Sequence, residues 1–326
     1  MTKKLVIFGP FCGEFCYELS WWIPEIRKLR NTEFKEWDAI AISSNGREVL
    51  YRDFTNAFVP YTEELENTLK YPSTFGEHVT GGDIIPENLH DFVNVVGEEY
   101  QRAEGYDEVR IYNPNPTGLR ERTLSEEPDG EYKHYEARDS ILKEMKTELK
   151  NYFNNDRDTI AVMARIRFRS NTGKTCWLDW NPNHWETFIN MLVNKLNLNV
   201  VMIGIPRKKG SSAGGALSFD NSKYIKSIVF TGPDSVEKQI ALLQSTKCSI
   251  YGASGTAVFP FFIKGASTFT QQTSNEGFRL KLKWERDLTE NLKNVKIFDK
   301  YRNYDLYDSP PEELFEEFKK FYEEIN

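Results

Sequence analysis

The sequence predicts an α/β protein built from two similar halves, because short apolar strands alternate with amphipathic helices in both halves of the chain. The chain has 326 residues, and at about 150 residues per domain this length favours two domains. A predicted connecting helix at residues 134–153 places the boundary near residue 150. We therefore predict two Rossmann-like domains facing across a cleft, at residues 1–150 and 151–305. Residues 306–326 should form a C-terminal helix that packs back on the body.

The first half opens with a strand, a loop and a helix. Residues 4–9 form an apolar run that ends in glycine, and residues 18–30 then carry apolar side chains at near-helical spacing. A second strand is predicted at residues 38–43, and a short helix follows at residues 47–54. Strand and helix therefore alternate as in a parallel sheet. The pattern between residues 61 and 105 assigns no element.

The second half repeats this alternation more clearly. Its predicted strands are residues 159–164, 199–205, 227–230, 248–251 and 267–270. Its predicted helices are residues 184–196, 234–244, 254–263 and 310–326. In the last of these, Leu314, Phe318 and Phe321 share one face, so this helix should pack on a domain.

Composition and charge exclude several classes of protein. Forty-two basic and 49 acidic residues give a net charge of −7, which argues against non-specific coating of nucleic acid. No apolar run approaches the ~20 residues of a membrane span, and the first run is too short for a signal peptide, so we expect a cytoplasmic protein. Four cysteines do not make a disulfide framework. Cys12 and Cys16 lack a nearby histidine, so no metal site is expected.

Three loops of the second half follow predicted strands, and their residues are suited to binding an anion. They carry basic side chains or a glycine-rich helix start, and both kinds of group bind phosphate. The candidate residues are Arg165, Arg167, Arg169, Lys174, Arg207, Ser254, Gly255 and Thr256. Because the carboxyl ends of parallel strands share one edge, the loops should converge on a diphosphate. The alternatives are solvated arginines on an exposed strand edge and an ordinary glycine turn.

The first loop of the chain carries a candidate catalytic acid. Gly9 and Gly13 would let a ligand approach the backbone in an acceptor loop, and Glu14 would project into the cleft. Burial there could raise the pKa of Glu14 into the range of a general base. The alternative for Glu14 is a carboxylate that interacts with the helix dipole, and for Glu18 the sequence favours that structural role.

A further acidic residue follows the strand predicted at residues 267–270. Glu276 could accept hydrogen bonds from ribose hydroxyls, as acidic residues do in dinucleotide-binding folds, and the alternative is a solvated loop. The chain has no Gly-x4-Gly-Lys-Ser/Thr motif, so kinase or ATPase chemistry has no support.

Two stretches resemble known glycosyltransferases. Val229-Phe-Thr-Gly-Pro-Asp-Ser and the later Cys248-Ser-Ile-Tyr-Gly-Ala-Ser-Gly-Thr-Ala resemble the donor-binding region of heptosyltransferase-like and fucosyltransferase-like enzymes. The opening Phe8-Gly-Pro-Phe-Cys-Gly-Glu-Phe-Cys-Tyr-Glu-Leu is similar to uncharacterised phage or viral glycosyltransferase-like proteins. The resemblance covers most of the second half and short pieces of the first. It departs from heptosyltransferases in lacking their Asp-Thr-Gly loop, so the donor's identity does not transfer.

This resemblance implies a GT-B-type glycosyltransferase that inverts the sugar and needs no metal or other cofactor besides its nucleotide-sugar co-substrate. It gives Glu14 the role of the base, Glu276 that of the ribose ligand and Arg207 a nucleoside contact. The basic residues after residue 164 and the turn at residues 254–256 would hold the diphosphate. The acceptor would be a glycan or another hydroxyl compound. Hydroxymethylated bases of phage DNA are one alternative, and a non-catalytic nucleotide-binding or sugar-phosphate-binding protein is another.

Overall fold

The protein, for which we use a computed structural model, forms two compact units. Unit 1 comprises Met1–Lys133 and Thr231–Val236, and unit 2 comprises His134–Phe230 and Glu237–Asn326. The structure describes residues 2–13, 15–69, 85–114, 130–166, 179–204, 215–219, 222–252, 255–271, 295–298 and 309–326. Within these stretches no helix is both long enough and apolar enough to cross a membrane.

Unit 1 contains a parallel sheet of four strands in the order β3-β2-β1-β4. The strands are β1 (Lys4–Phe8), β2 (Asp38–Ser43), β3 (Ala57–Pro60) and β4 (Glu108–Tyr112). The helices are α1 (Ile23–Asn31), α2 (Glu63–Leu69) and α3 (Glu87–Glu104), with shorter turns at Phe15–Tyr17 (α), Glu18–Trp22 (π) and Glu48–Leu50 (3-10). Strand β1 lies between β2 and β4, and its four apolar residues from Leu5 to Phe8 are fully buried, so it forms the centre of this core.

Unit 2 contains a parallel sheet of six strands in the order β12-β11-β10-β5-β7-β9. Counted along the chain, this is the 3-2-1-4-5-6 order of dinucleotide-binding sheets. The strands are β5 (Thr159–Met163), β7 (Asn199–Ile203), β9 (Ile225–Ile228), β10 (Cys248–Tyr251), β11 (Thr268–Gln271) and β12 (Val295–Phe298), and a separate antiparallel pair is formed by β6 (Arg165–Ile166) and β8 (Gly215–Ala216). The helices are α4 (Asp139–Phe153), α5 (Pro182–Lys195), α6 (Ser235–Ser245), a 3-10 helix (Gly255–Phe262) and α7 (Pro311–Glu324).

The C-terminal helix packs back on unit 2, as the sequence predicts. On α7, the ring of Phe318 lies 5.6 Å from that of Phe269 on β11 and 6.2 Å from that of Phe188 on α5. These side chains are fully buried in the core on one side of the sheet. The apolar stripe of α7 therefore closes this core, and the prediction of two Rossmann-like α/β regions with a docked C-terminal helix is confirmed.

The division between the units lies at Lys133, whereas the sequence places it near residue 150. The connecting segment belongs to unit 2 because it bonds to that unit. The backbone N–H of Tyr135 donates to the carbonyl of Phe262 at 2.7 Å, and that of Ala137 donates to Gln244 Oε1 at 3.0 Å. Residue 150 itself lies inside α4, which has no composition break to mark a boundary.

Two further predictions differ from the structure for local physical reasons. Residues 254–263 were expected to form an α-helix, but Gly255–Phe262 is a 3-10 helix. Pro260 lies inside it and has no N–H, so it can donate no helical hydrogen bond, which disfavours a regular α-helix here. The unassigned stretch between residues 61 and 105 contains α2 and α3. Leu89, Val93 and Val96 form the buried stripe of α3 among many charged residues, so its apolar signal is diluted.

Candidate functional site

The candidate site of unit 2 lies where its strand order reverses. Strands β5 and β10 are neighbours at this point, and the next strands of the main sheet lie on opposite sides of this pair, β7 beside β5 and β11 beside β10. In open parallel sheets such a switch point forms a crevice beyond the carboxyl ends of the strands, and ligands bind there. The residues that follow Met163 and Tyr251 therefore line the expected binding position.

Gly252 brings two of these segments into contact. Its N–H donates to the carbonyl oxygen of Met163 at 3.0 Å, which ties the end of β10 to the end of β5. A Cβ atom built on Gly252 would lie 3.2 Å from Cζ2 of Trp185 and 3.6 Å from the backbone nitrogen of Arg165. A side chain at this position would press on the Trp185 ring. The sequence prediction that the basic loop and the glycine turn share one edge thus holds for Arg165 and Gly252.

Arg165 begins the short strand β6 and is half-buried. It pairs with Ala216 on β8, and that pairing brings in the segment that follows β7. Gly204, at the end of β7, has a φ of 120°, and a Cβ there would lie 2.6 Å from the Cβ of Ala216. Glycine is therefore required for this close approach, which gathers the segments after β5, β7 and β10 at one edge.

The remaining candidate residues of unit 2 are only partly placed. Gly255 and Thr256 begin the 3-10 helix, which is not the α-helix expected, and the first N–H groups of a helix have no partner within that helix. Outside the described residues lie Arg167, Arg169, Lys174, Arg207, Ser254 and Glu276. Their assigned roles stay predictions.

Four of the buried polar atoms that have no partner in the described stretches belong to residues near this edge, and the sequence analysis missed them. Within the described stretches, the Tyr251 hydroxyl, the Trp185 indole N–H and both amide atoms of Gln271 are buried and make no hydrogen bond. Burial raises the pKa of Tyr251, so its hydroxyl stays protonated and can donate. A buried polar atom left unpaired costs about 1–3 kcal/mol, so such groups indicate a site for a ligand or water.

The corresponding edge of unit 1 carries the loop of Gly9 and Gly13, which the sequence analysis predicts to bind the acceptor. Gly9 follows β1, and its N–H donates to the Tyr112 carbonyl at 3.0 Å. Its φ is 140°, and a Cβ there would lie 2.5 Å from the carbonyl oxygen of Ile42, so only glycine fits. The Phe11 carbonyl accepts the hydroxyl hydrogen of Tyr61 at 2.8 Å. The loop leading to Gly13 is thus anchored at its start.

The other end of this loop is anchored by Glu18. Glu14 itself is outside the described residues, but Glu18 lies in the π-helical turn and is fully buried. Its carboxylate accepts hydrogen bonds from the hydroxyl of Ser43, the guanidinium of Arg47 and the hydroxyl of Tyr51. Glu18 therefore has a structural role, as the sequence favours, and it fills that role by binding these three side chains in the interior of unit 1.

Electrostatics within this cluster favour a buried ion pair. Burial alone would lower the pKa of Arg47, but the Glu18 carboxylate raises it above the ordinary value. Burial and the same carboxylate raise the pKa of Tyr51 well above its ordinary value, so its hydroxyl remains a donor. Ser43 ends β2, and Glu18 lies in the turn after the loop that follows β1. Their shared position after parallel strands is the signal that could have predicted the cluster.

Cys12, in the same loop of unit 1, is a poor candidate for a chemical role. Burial raises the pKa of the Cys12 thiol to about 12, so it is neutral at physiological pH. A neutral thiol is neither a good nucleophile nor a metal ligand. Among the residues with described positions, no cluster of three or more His, Cys, Asp or Glu side chains could hold a metal ion.

Comparison with solved structures identifies the fold. Heptosyltransferase II from E. coli superposes with a TM-score of 0.51 at 11% identity, over 99% of both chains. An E. coli heptosyltransferase solved with ADP-2-deoxy-2-fluoro heptose gives 0.50 at 9% identity, over 97% of this chain and 99% of that one. No family model and no curated protein sequence matches the chain. The chain thus resembles GT-B-type glycosyltransferases in fold, which confirms the resemblance seen in the sequence.

Proposed function

We propose that the protein is a glycosyltransferase that transfers a sugar from a nucleotide-diphosphate sugar to a hydroxyl acceptor, with inversion and without a metal. The observation that carries this proposal is the meeting of Arg165 and Gly252 at the switch point of unit 2. The two solved structures compared above are heptosyltransferases, and one of them holds a fluorinated ADP-heptose. Their low identity to this chain leaves the donor sugar, whether hexose or pentose, open.

The donor diphosphate would bind at the edge of unit 2. The backbone N–H groups at the start of the 3-10 helix and the Arg165 guanidinium can donate to phosphate oxygens. In the sugar transfer, the bond between the anomeric carbon and the phosphate oxygen breaks, and the nucleoside diphosphate leaves with the electron pair. Donors held in place at this edge would stabilise the charge that develops on the leaving phosphate, with no need for a metal ion.

Glu14 would act as the general base for the acceptor. It would take the proton of the acceptor hydroxyl while the acceptor oxygen attacks the anomeric carbon on the face opposite the phosphate. One such displacement inverts the configuration. The hydrogen bonds of Phe11 and Glu18 hold the described residues that precede and follow Glu14 in the chain.

The negative net charge favours a glycan or a similar small acceptor over phage DNA, because DNA would require a basic track across the site. A cytoplasmic location of the enzyme is part of this proposal.

The alternative from another class is a nucleotide-binding or sugar-phosphate-binding protein without activity. Release of free nucleoside diphosphate from a nucleotide sugar separates the two, because a binding protein returns the sugar nucleotide intact.

Arg165→Ala is expected to weaken nucleoside diphosphate binding about 10- to 100-fold, the value of one charge-assisted hydrogen bond. Isothermal titration calorimetry measures this change. Arg157→Ala is a matched control, because Arg157 precedes β5 and so lies at the end of that strand opposite to Arg165. Its guanidinium lies 3.5 Å from the centre of the Tyr224 ring. This control should keep wild-type affinity. Unchanged affinity in Arg165→Ala would move the donor site elsewhere.

A further inference from the structure

We infer that the side-chain amide of Gln271 binds the nucleoside part of the donor nucleotide. This inference rests on the proposed function and adds a residue to the donor site that no sequence motif indicated. Gln271 is the last residue of β11, the strand next to β10. The pairing of Thr270 with Tyr251 places Gln271 at the level of Gly252, beside the switch point.

The amide of Gln271 is buried without any partner. The residue has 0% exposure, and neither Oε1 nor Nε2 makes a hydrogen bond within the described part of the chain. More than about 90% of buried polar groups in native proteins are paired, so a glutamine with both atoms unpaired requires an explanation. Burying this unpaired amide costs free energy that folding does not require, because an apolar side chain of the same size would avoid the cost.

The surroundings of Gln271 include a second unpaired donor. Side chains alternate along a strand, so Gln271 lies on the same side of the sheet as Phe269. Phe269 belongs to the core that includes Trp185, whose ring lies against Gly252 and whose N–H is unpaired. Three unpaired polar atoms, two donors and one acceptor, therefore lie at one edge and on one side of the sheet.

The chemistry of these atoms selects the ligand. An ionised phosphate only accepts hydrogen bonds, so it would leave Oε1 of Gln271 unpaired. Ribose hydroxyls and the edges of the bases both donate and accept, and so they satisfy both ends of an amide. The nucleoside is the part of a nucleotide sugar that matches Gln271. Since the side chain is fully shielded, a ligand reaches it only after the atoms that cover it move aside.

A second glutamine of unit 2 shows what a structural amide in this protein looks like. Gln244 Oε1 accepts the N–H of Ala137 at 3.0 Å, and its Nε2 donates to the carbonyl of Lys264 at 3.3 Å. Oε1 thus holds the segment before α4, and Nε2 holds the turn that follows the 3-10 helix. Gln244 is therefore the matched control for Gln271.

The test compares Gln271→Met with Gln244→Met, since methionine keeps the length of the side chain and removes the amide. The melting temperature of each variant is measured alone and with ADP, UDP, GDP, CMP or dTDP. Gln271→Met should melt at or above the wild-type temperature, because an unpaired buried amide is removed. It should also lose at least about tenfold in affinity for the nucleotide that stabilises the wild type. Gln244→Met should melt lower and keep its affinity.

A lower melting temperature of Gln271→Met with unchanged nucleotide affinity would overturn the inference, because the amide would then be held by a buried water. That result leaves the proposed function intact. Binding of none of the nucleotides by the wild type would overturn both proposals. If Gln271→Met fails to fold, Gln271→Leu is measured in the same way, and failure of both variants to fold would assign Gln271 to the fold and overturn the inference.

Discussion

Glu14→Gln is expected to lower turnover of the nucleotide sugar about 10²- to 10⁴-fold, the usual contribution of a general base. Glutamine keeps the shape of the side chain but cannot take a proton. Nucleoside diphosphate affinity should stay at the wild-type value, because the donor would bind to unit 2. Turnover is followed as release of nucleoside diphosphate, and affinity by calorimetry.

Glu63→Gln is the control for this variant. Glu63 is exposed at the start of α2 in the same unit, and its replacement by glutamine removes the same negative charge as Glu14→Gln does. It should retain full turnover. Near-normal turnover of Glu14→Gln would remove the base role from this residue, whereas an equal loss in both variants would indicate an effect of overall charge.

Glu18→Gln is expected to lower the free energy of unfolding by about 3 kcal/mol, at the lower end of the cost of breaking a buried ion pair. The change leaves the guanidinium of Arg47 buried without its carboxylate, although the Arg47 side chain keeps 17% exposure and so some contact with water. Denaturant unfolding followed by tryptophan fluorescence measures the loss, since Trp21 and Trp22 lie in the same π-helical turn.

Two further variants separate the buried pair from an ordinary surface charge. Glu104→Gln removes an exposed pair with Lys3 and should cost less than about 1 kcal/mol. Adding Arg47→Met to Glu18→Gln removes both buried charges and should recover part of the stability. A cost of Glu18→Gln no larger than that of Glu104→Gln would show that the buried cluster does not hold the loop.

The sequence predicted the parts of the fold that depend on local patterns. Buried central strands such as β1 and β5 are continuous apolar runs, which is typical of parallel sheets. The meeting of Arg165 and Gly252 followed from a rule of topology, because the carboxyl ends of parallel strands share an edge. The C-terminal helix was predicted from one apolar stripe.

Elements at the edges of the sheets were harder to predict. Strand β4 lies at the edge of unit 1 and is partly exposed, so Glu108 and Arg110 interrupt its apolar residues. Strand β3 has only four residues and is similarly exposed. The bonds of Tyr135 and Ala137 to unit 2 join residues more than 100 positions apart, so no local pattern marks the division between the units at Lys133.

The buried polar side chains of Glu18 and Gln271 were missed for a related reason. Burial of Glu18 depends on Ser43, Arg47 and Tyr51, which are 25 to 33 residues away. Gln271 was not recognised as a candidate because a polar residue at the end of a predicted strand normally reaches solvent. Its complete burial results from packing in the folded core, and no local sequence pattern indicates it.

The central claim, that unit 2 binds a nucleotide sugar, is tested most directly by thermal unfolding with UDP, GDP, ADP, CMP and dTDP and the matching nucleotide sugars. We expect one nucleotide class to stabilise the protein, by about 2.7 kcal/mol at 100 times its Kd, and Arg165→Ala to reduce this stabilisation to about 1.4 kcal/mol or less at the same ligand concentration. No shift with any of these ligands would contradict the account, and the basic loops would then bind another anion, with nucleic acid the first to test.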